Sequence, residues 1–207
     1  MGLKQKALGA VFGQFLRPHG FGGRAAGWVM AKRGSNRERN VWAVGLLDVQ
    51  PQDRVLEVGF GPGIAIQEFV SRATSGLVVG IDHSEVMLQQ ARKRNAAAVS
   101  AGRVDLRLGS AESLPAFDAP FDKVLAVNSL FFWDDPVARL KELHDLLRPG
   151  GRIAIAYQPR GPGSTDEVAA RTGRQLAAHF TEVGFTDVRV ETLALKPTAV
   201  VCVLGVK

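Results

Sequence analysis

Residues 54–63, Arg-Val-Leu-Glu-Val-Gly-Phe-Gly-Pro-Gly, constrain the fold more than any other stretch of the chain. Val55, Leu56 and Val58 form a short apolar run rich in β-branched residues, the pattern of a strand buried on both faces. Gly59, Gly61 and Gly63 follow at a spacing of two, and Ile64, Ile66, Phe69 and Val70 then recur at helical spacing. The glycines therefore fall in a strand-to-helix turn. Glycine there permits positive φ and lets a ligand lie against bare backbone. The free N–H groups opening the next helix favour a carboxylate or phosphate.

The stretches that follow repeat this strand-then-helix plan. Leu77 to Ile81 is a second buried strand ending at Asp82, near the offset at which an acid meets ribose hydroxyls in nucleotide-binding folds. A carboxylate suits that task because its oxygens accept from both hydroxyls at once. Ser84 caps the next helix, Glu85 sits by its positive end, and Met87, Leu88 and Ala91 give it an inner face. Arg92, Lys93 and Arg94 complement its dipole at the other end. Val104 to Leu108 alternates as a third strand and runs into Gly109–Pro115. Phe121 to Val127 is the fourth, left through Asn128, Ser129, Leu130, Phe131, Phe132 and Trp133. Asp135-Pro136 opens a helix whose buried face is Val137, Leu140, Leu143 and Leu147. Arg148-Pro149-Gly150-Gly151 stops it before a fifth strand, Arg152 to Tyr157. Ser164 and Glu167, at capping-box spacing, open a helix with Val168, Leu176, Phe180 and Val183 inside and Gly184 at its end. Asp187–Leu193 and Ala199–Val206 finish the chain as strands. In open parallel sheets ligands bind beyond the carboxyl ends of the strands. Glu57–Gly63, Asp82, Ser110 and Asn128 all fall there.

Two families use such a turn. The dinucleotide fingerprint wants a third small residue where Ile64 stands, so it fits poorly. The run Glu57–Gly63, E-x-G-x-G-x-G, resembles motif I of the class I S-adenosylmethionine-dependent methyltransferases. Asp82 with Met87 a few positions on is similar to that family's second-strand end. Gly109–Pro115 resembles its G-D-A-x-x-L-P segment, with Ser110 in place of the aspartate, and Leu147–Gly151 matches its L-R-P-G-G run. The resemblance covers about residues 52 to 206. It implies an α/β fold: a Rossmann-like doubly wound seven-stranded sheet, mostly parallel with an antiparallel final strand, plus a short helical N-terminal arm. It also implies S-adenosyl-L-methionine as cofactor. On this resemblance Glu57, Gly59, Phe60, Gly61 and Gly63 take the methionine end and Asp82 the ribose, with His83 at its border. Met87, Ser110, Ala111 and Glu112 take the adenine, and the Asn128 backbone carbonyl meets the methionine amino group. Phe131, Phe132 and Trp133 either line the acceptor side or pack beneath a lid.

With 207 residues at 46% hydrophobic content the chain can bury one good core. The expected division is a basic helical arm or lid over 1–47 and a cofactor-binding domain over 48–207. The arm holds eight Lys or Arg against one acid, a charge of +7, and the remainder carries −1. Such asymmetry suits an acidic substrate, an anionic membrane surface or a nucleic acid, or merely a solvated face. Within the arm His19 and Trp28 are candidate acceptor contacts, and Arg37 to Leu47 reads as a helix with Val41, Val44 and Leu47 on its apolar face beside Trp42. The single cysteine, Cys202, rules out an internal disulfide or a cysteine-cluster metal site and fits a reducing, cytoplasmic setting. No metal is expected. The leading expectation is methyl transfer to a small-molecule acceptor. Alternatives are a phospholipid N-methyltransferase touching an anionic membrane through the arm, and a nicotinamide-binding Rossmann protein. A nucleic-acid methyltransferase is disfavoured, since Asn128-Ser129-Leu130-Phe131 lacks both prolines of the N-P-P-[FY] motif.

Overall fold

The computed structural model describes residues 34–130 and 133–207, so the expectations placed on the first 33 residues, His19 and Trp28 among them, and on Phe131 and Phe132 lie outside it. Helix α1 (Gly34–Leu46) comes first, followed by β1 (Arg54–Val58), α2 (Ile64–Arg72), β2 (Leu77–Asp82), α3 (Glu85–Arg94), α4 (Ala96–Ser100) and β3 (Val104–Leu108). Then come β4 (Phe121–Val127), α5 (Pro136–Leu146), β5 (Leu147–Tyr157), α6 (Asp166–Val183), β6 (Thr186–Leu193) and β7 (Val200–Val206). The seven strands form one sheet in the order β3-β2-β1-β4-β5-β7-β6. The first five are parallel, and β7 runs antiparallel to both β5 and β6.

Side chains alternate across the sheet with period two, so each strand feeds two cores. Val55 of β1, Leu125 and Val127 of β4 and Ala154 and Ala156 of β5 share one cluster with Ala43, Val44, Ile66, Phe69 and Ala91 of α1–α3. Leu56 and Val58, Val124 and Ala126, and Ile153 and Ile155 share the other with Leu140 and Leu143 of α5 and Leu176 and Phe180 of α6. Both faces are covered, which is why β1 and β4 are apolar almost throughout. Strand order reverses between β1 and β4, the place where open α/β sheets open a crevice for ligands.

Several local expectations need correcting. Helix α5 ends at Leu146, and Leu147 already belongs to β5, where it pairs with Phe121. Pairing to β4 therefore outlasts the Pro-Gly-Gly punctuation. Helix α6 is capped by Thr165, whose hydroxyl accepts from Val168 N at 3.2 Å, not by Ser164. The inward face of α1 carries the expected Val44, with Leu47 just past the helix end, both fully buried, and polar residues as well. Asn36, Arg39 and Asn40 are buried along with Ala43 and Val44, while Val41 and Trp42 are only half-buried. Asp135, by contrast, caps α5 as its Asp-Pro pair suggests, accepting from Ala138 N at 3.0 Å.

Candidate active site

The carboxyl ends of β1, β2, β3 and β4 lie in register along one edge. Val58 pairs with Ile81 and Ala126, and Asp82 with Leu108. The loops leaving these strands carry the residues singled out from sequence.

The three glycines divide the work. Gly63 has φ +78°, and a Cβ there would lie 2.8 Å from Ala91 Cβ and 2.9 Å from Ala91 Cα. Its bareness lets α3 approach the turn. Gly59 (φ +80°) is bare for a similar reason, since a Cβ would meet Ser129 Cβ at 2.8 Å. Gly61, at φ +51°, has no atom within 4 Å of where its Cβ would stand. That is the stretch of exposed backbone against which a ligand can lie.

Asp82 is 6% exposed and does more than end β2. Its Oδ2 accepts from Gly61 N at 2.8 Å and its Oδ1 from Ser84 N at 2.9 Å, so one carboxylate braces both the glycine turn and the start of α3. Burial raises its pKa, against the two backbone N–H groups and His83, which favour the charged form. Glu57 is wholly buried at the end of β1, and burial followed by the nearby Asp82 charge hold its carboxyl well above the usual range. Its Oε2 has no hydrogen-bond partner. Ser129 Oγ, beside Gly59, and the Trp133 indole Nε1 are likewise buried and unpartnered. A buried polar atom without a partner costs about 1–3 kcal/mol. Two of them, on Glu57 and Ser129, flank the glycine turn, where a polar ligand would satisfy them.

The remaining expected residues, Asn128 aside, sit in the core or in the loops beyond β2 and β3. The Phe60 ring packs inward, over the bare Cα of Gly80, where a Cβ would meet it at 2.7 Å. Met87 is 2% exposed, within the same core cluster as Phe60. Trp133 is 6% exposed in the other cluster, packed as core with only its indole nitrogen unsatisfied. Ser110 Oγ accepts from Glu112 N at 3.1 Å, closing a small turn in which Ala111 is half-buried. The Glu112 carboxylate accepts from Asp134 N at 3.0 Å, and its backbone carbonyl from Arg139 of α5 at 2.9 Å, so Glu112 fastens this loop to α5. His83 is exposed at the rim.

Asn128 adopts φ +54°, rare for a side-chain-bearing residue and common where a site holds its backbone in one geometry. Its side-chain Oδ1 accepts from Gln158 N at 2.8 Å, tying the end of β4 to the end of β5. Sequence reasoning missed that tie. It also missed Arg94, which donates through Nε to Pro62 O at 2.9 Å, and Asn95, whose Nδ2 donates to Gly63 O at 3.2 Å. The basic run at the end of α3 therefore locks the glycine turn as well as serving a helix dipole. Its sequence signal was only charge, which does not tell a solvated arginine from one aimed at a carbonyl.

Comparison with known proteins bears on this arrangement. A family model described as a methyltransferase domain matches residues 55–151. The uncharacterised methyltransferase YdaC of Bacillus subtilis (strain 168) is 36% identical over 182 residues, 88% of this chain and 97% of that protein. The chain belongs to the methyltransferase family. A ubiquinone/menaquinone biosynthesis C-methyltransferase, UbiE of Geotalea daltonii, is 31% identical over 59% of this chain and 52% of its own length. Among solved structures, the magnesium protoporphyrin IX methyltransferase of Synechocystis PCC 6803, determined with bound SAM, superposes with a TM-score of 0.62 at 17% identity. That match covers 84% of this methyltransferase and 78% of the other chain. An Aquifex aeolicus SAM-dependent methyltransferase gives a TM-score of 0.60 at 18% identity over 83% and 89% of the two chains. These structural likenesses speak to the fold. Family membership, strand order and the Glu57–Gly63 motif together make this a class I, S-adenosylmethionine-dependent methyltransferase.

Proposed function

We propose that this methyltransferase passes its methyl group to a small-molecule acceptor by in-line displacement, in a site at the ends of β1, β4 and β5. The observation that carries this reading is the open backbone of Gly61 beside the unpartnered, buried Glu57 Oε2 and Ser129 Oγ. These groups suit an amino-acid moiety: Glu57 takes an ammonium, and Ser129 a polar neighbour of it. Asp82 offers its remaining lone pairs to ribose hydroxyls. Ser110 and Ala111 border the adenine, at the turn beyond β3.

When bound, S-adenosylmethionine supplies a methyl carbon on a sulfonium, which an acceptor lone pair attacks as the bond to sulfur breaks. The protein's part is to align the two reactants and exclude water, and alignment of that kind is worth roughly 7–11 kcal/mol of barrier. Helix α1 packs against α2, β4 and β5. We assign residues 1–47 as lid and 48–207 as the donor-binding domain on that basis. None of the described helices is long and apolar enough to cross a membrane.

The test compares the full chain with one lacking residues 1–33, scoring methyl transfer to a panel of small amine, phenol and thiol acceptors and sedimentation with anionic vesicles. A lid over a small-molecule site gives turnover that truncation abolishes and negligible vesicle binding throughout. Salt-reversible binding to anionic vesicles, lost on truncation, would replace the small acceptor with a phospholipid.

A further inference from the structure

Helix α1 buries an arginine beside its apolar contacts. Arg39 is 5% exposed, on the face turned toward the ends of β4 and β5. Its Nη1 donates to Gln158 Oε1 at 2.6 Å and its Nη2 to Asn36 Oδ1, while its Nε has no partner. Arg160 Nη2 donates to the same Gln158 oxygen at 2.8 Å. Two guanidinium groups thus converge on one neutral carboxamide. Gln158 is itself fully buried and held in place, donating from Nε2 to Thr198 O at 2.7 Å and from its backbone N to Asn128. Asn40 Nδ2, bonded to Asn36 O at 2.7 Å, steadies the other side.

No carboxylate of the chain balances Arg39. It makes no ion pair among the described residues, and the residues outside them, 1–33 and 131–132, contain no Asp or Glu. Burial and the adjacent Arg160 charge lower the Arg39 pKa to about 9. A buried cation facing another cation is unfavourable unless an anion completes the group. Gln158 and Asn36 orient the Arg39 guanidinium and supply no charge, which leaves that anion to a ligand.

We propose that Arg39 and Arg160 form the receptor for an oxyanion, carboxylate or phosphate, carried by the methyl acceptor. This rests on the reading that the glycine turn holds the donor. Strand order sets the arginines apart from the donor's turn: Gln158 follows β5, two strands from β1 and so roughly 10 Å across the sheet from the glycine turn. The same Gln158 is tied to Asn128, so the anion would be anchored one residue pair away from the end of β4. Paired guanidinium groups also match oxyanion geometry, giving several parallel N–H donors.

The test uses the full chain loaded with S-adenosylhomocysteine, titrated with benzoate or with inorganic phosphate while arginine side-chain N–H signals are followed by NMR. Benzoate reads out a carboxylate acceptor and phosphate a phosphorylated one. The expected result is saturable binding of at least one anion, weakened roughly ten- to hundredfold in Arg39→Gln and in Arg160→Gln, with S-adenosylhomocysteine affinity unchanged. Arg160 is half-buried, so its variant carries the test alone if Arg39→Gln does not fold. Absence of anion binding by the loaded wild type overturns the proposal. So does a sharp loss of S-adenosylhomocysteine affinity in either variant with 5′-methylthioadenosine binding intact, because the arginines would then hold the donor's own carboxylate. If the wild type fails to bind S-adenosylhomocysteine at all, it is the donor reading that falls.

Discussion

Glu57 and Asp82 are two carboxyl groups buried at adjacent strand ends, and their titration reports directly on the site. Glu57 is held well above its ordinary value of 4.5, by burial first and by Asp82 second. A carboxyl whose pKa is raised in the fold binds its proton more tightly there than in the unfolded chain. Its contribution to stability is therefore fully present below the unfolded value and lost as pH rises through the folded one. A cationic ammonium placed against Glu57 would reverse the shift and expel the proton. Calorimetric titration with S-adenosylhomocysteine at a series of pH values above the ordinary carboxyl range, in two buffers of different ionisation enthalpy, should thus give apparent enthalpies that differ in the sense of proton release over part of that series. Equal enthalpies at every pH would mean that Glu57 does not face the ammonium. At this scale the sequence was informative about residue types and poor about direction. Glu57 and Asp82 announced themselves as acids in or at the end of buried strands. Whether Phe60, Met87 and Trp133 faced ligand or core depended on partners far along the chain, such as Gly80, that no local pattern names.

The glycine turn and α3 act as one element. Gly63 is bare because Ala91 stands against it, and Arg94 and Asn95 fasten α3 to the turn through Pro62 O and Gly63 O. Gly61 faces open space. Two alanine substitutions should therefore separate. Gly63→Ala forces backbone apart and is expected to cost about 1–3 kcal/mol from overpacking, beyond the strain of its positive φ. Gly61→Ala costs about 1–2 kcal/mol from φ alone, and its larger effect is on S-adenosylhomocysteine affinity. Denaturant unfolding and calorimetry on both variants check this, and equal stability losses would mean that the turn does not pack as described. Elements were legible wherever periodicity and punctuation agreed, as for β1, β2, β3 and the Asp135-capped α5. Their ends were not. Leu147 reads as helix from its spacing, yet pairing with Phe121 across the sheet decides otherwise. The buried polar residues of α1 were not legible for a related reason. Asn36, Arg39 and Asn40 recur at helical spacing, and local pattern assigns such a face to solvent unless Gln158, far along the chain, is known to await it.

At the scale of the molecule, one sheet with helices on both faces brings the ends of β1, β2, β3 and β4 to one crevice. This layout was legible from the order of strand and helix patterns together with the motif resemblance. Parallel strands linked through helices have few other ways to bury both faces. What sequence could not supply was the second half of the site: the Asn128–Gln158 tie and the arginines of α1 and the loop after β5, which meet only when β5 lies beside β4. The central claim is that the crevice at Glu57–Gly63 binds S-adenosylmethionine, and the rival nucleotide reading of the same glycine turn is a nicotinamide dinucleotide. Isothermal titration of the full chain with S-adenosylhomocysteine, NAD and NADP tests it most directly. Stoichiometric binding of S-adenosylhomocysteine, with no binding of either dinucleotide, is the expected result; binding of a dinucleotide without S-adenosylhomocysteine would contradict it.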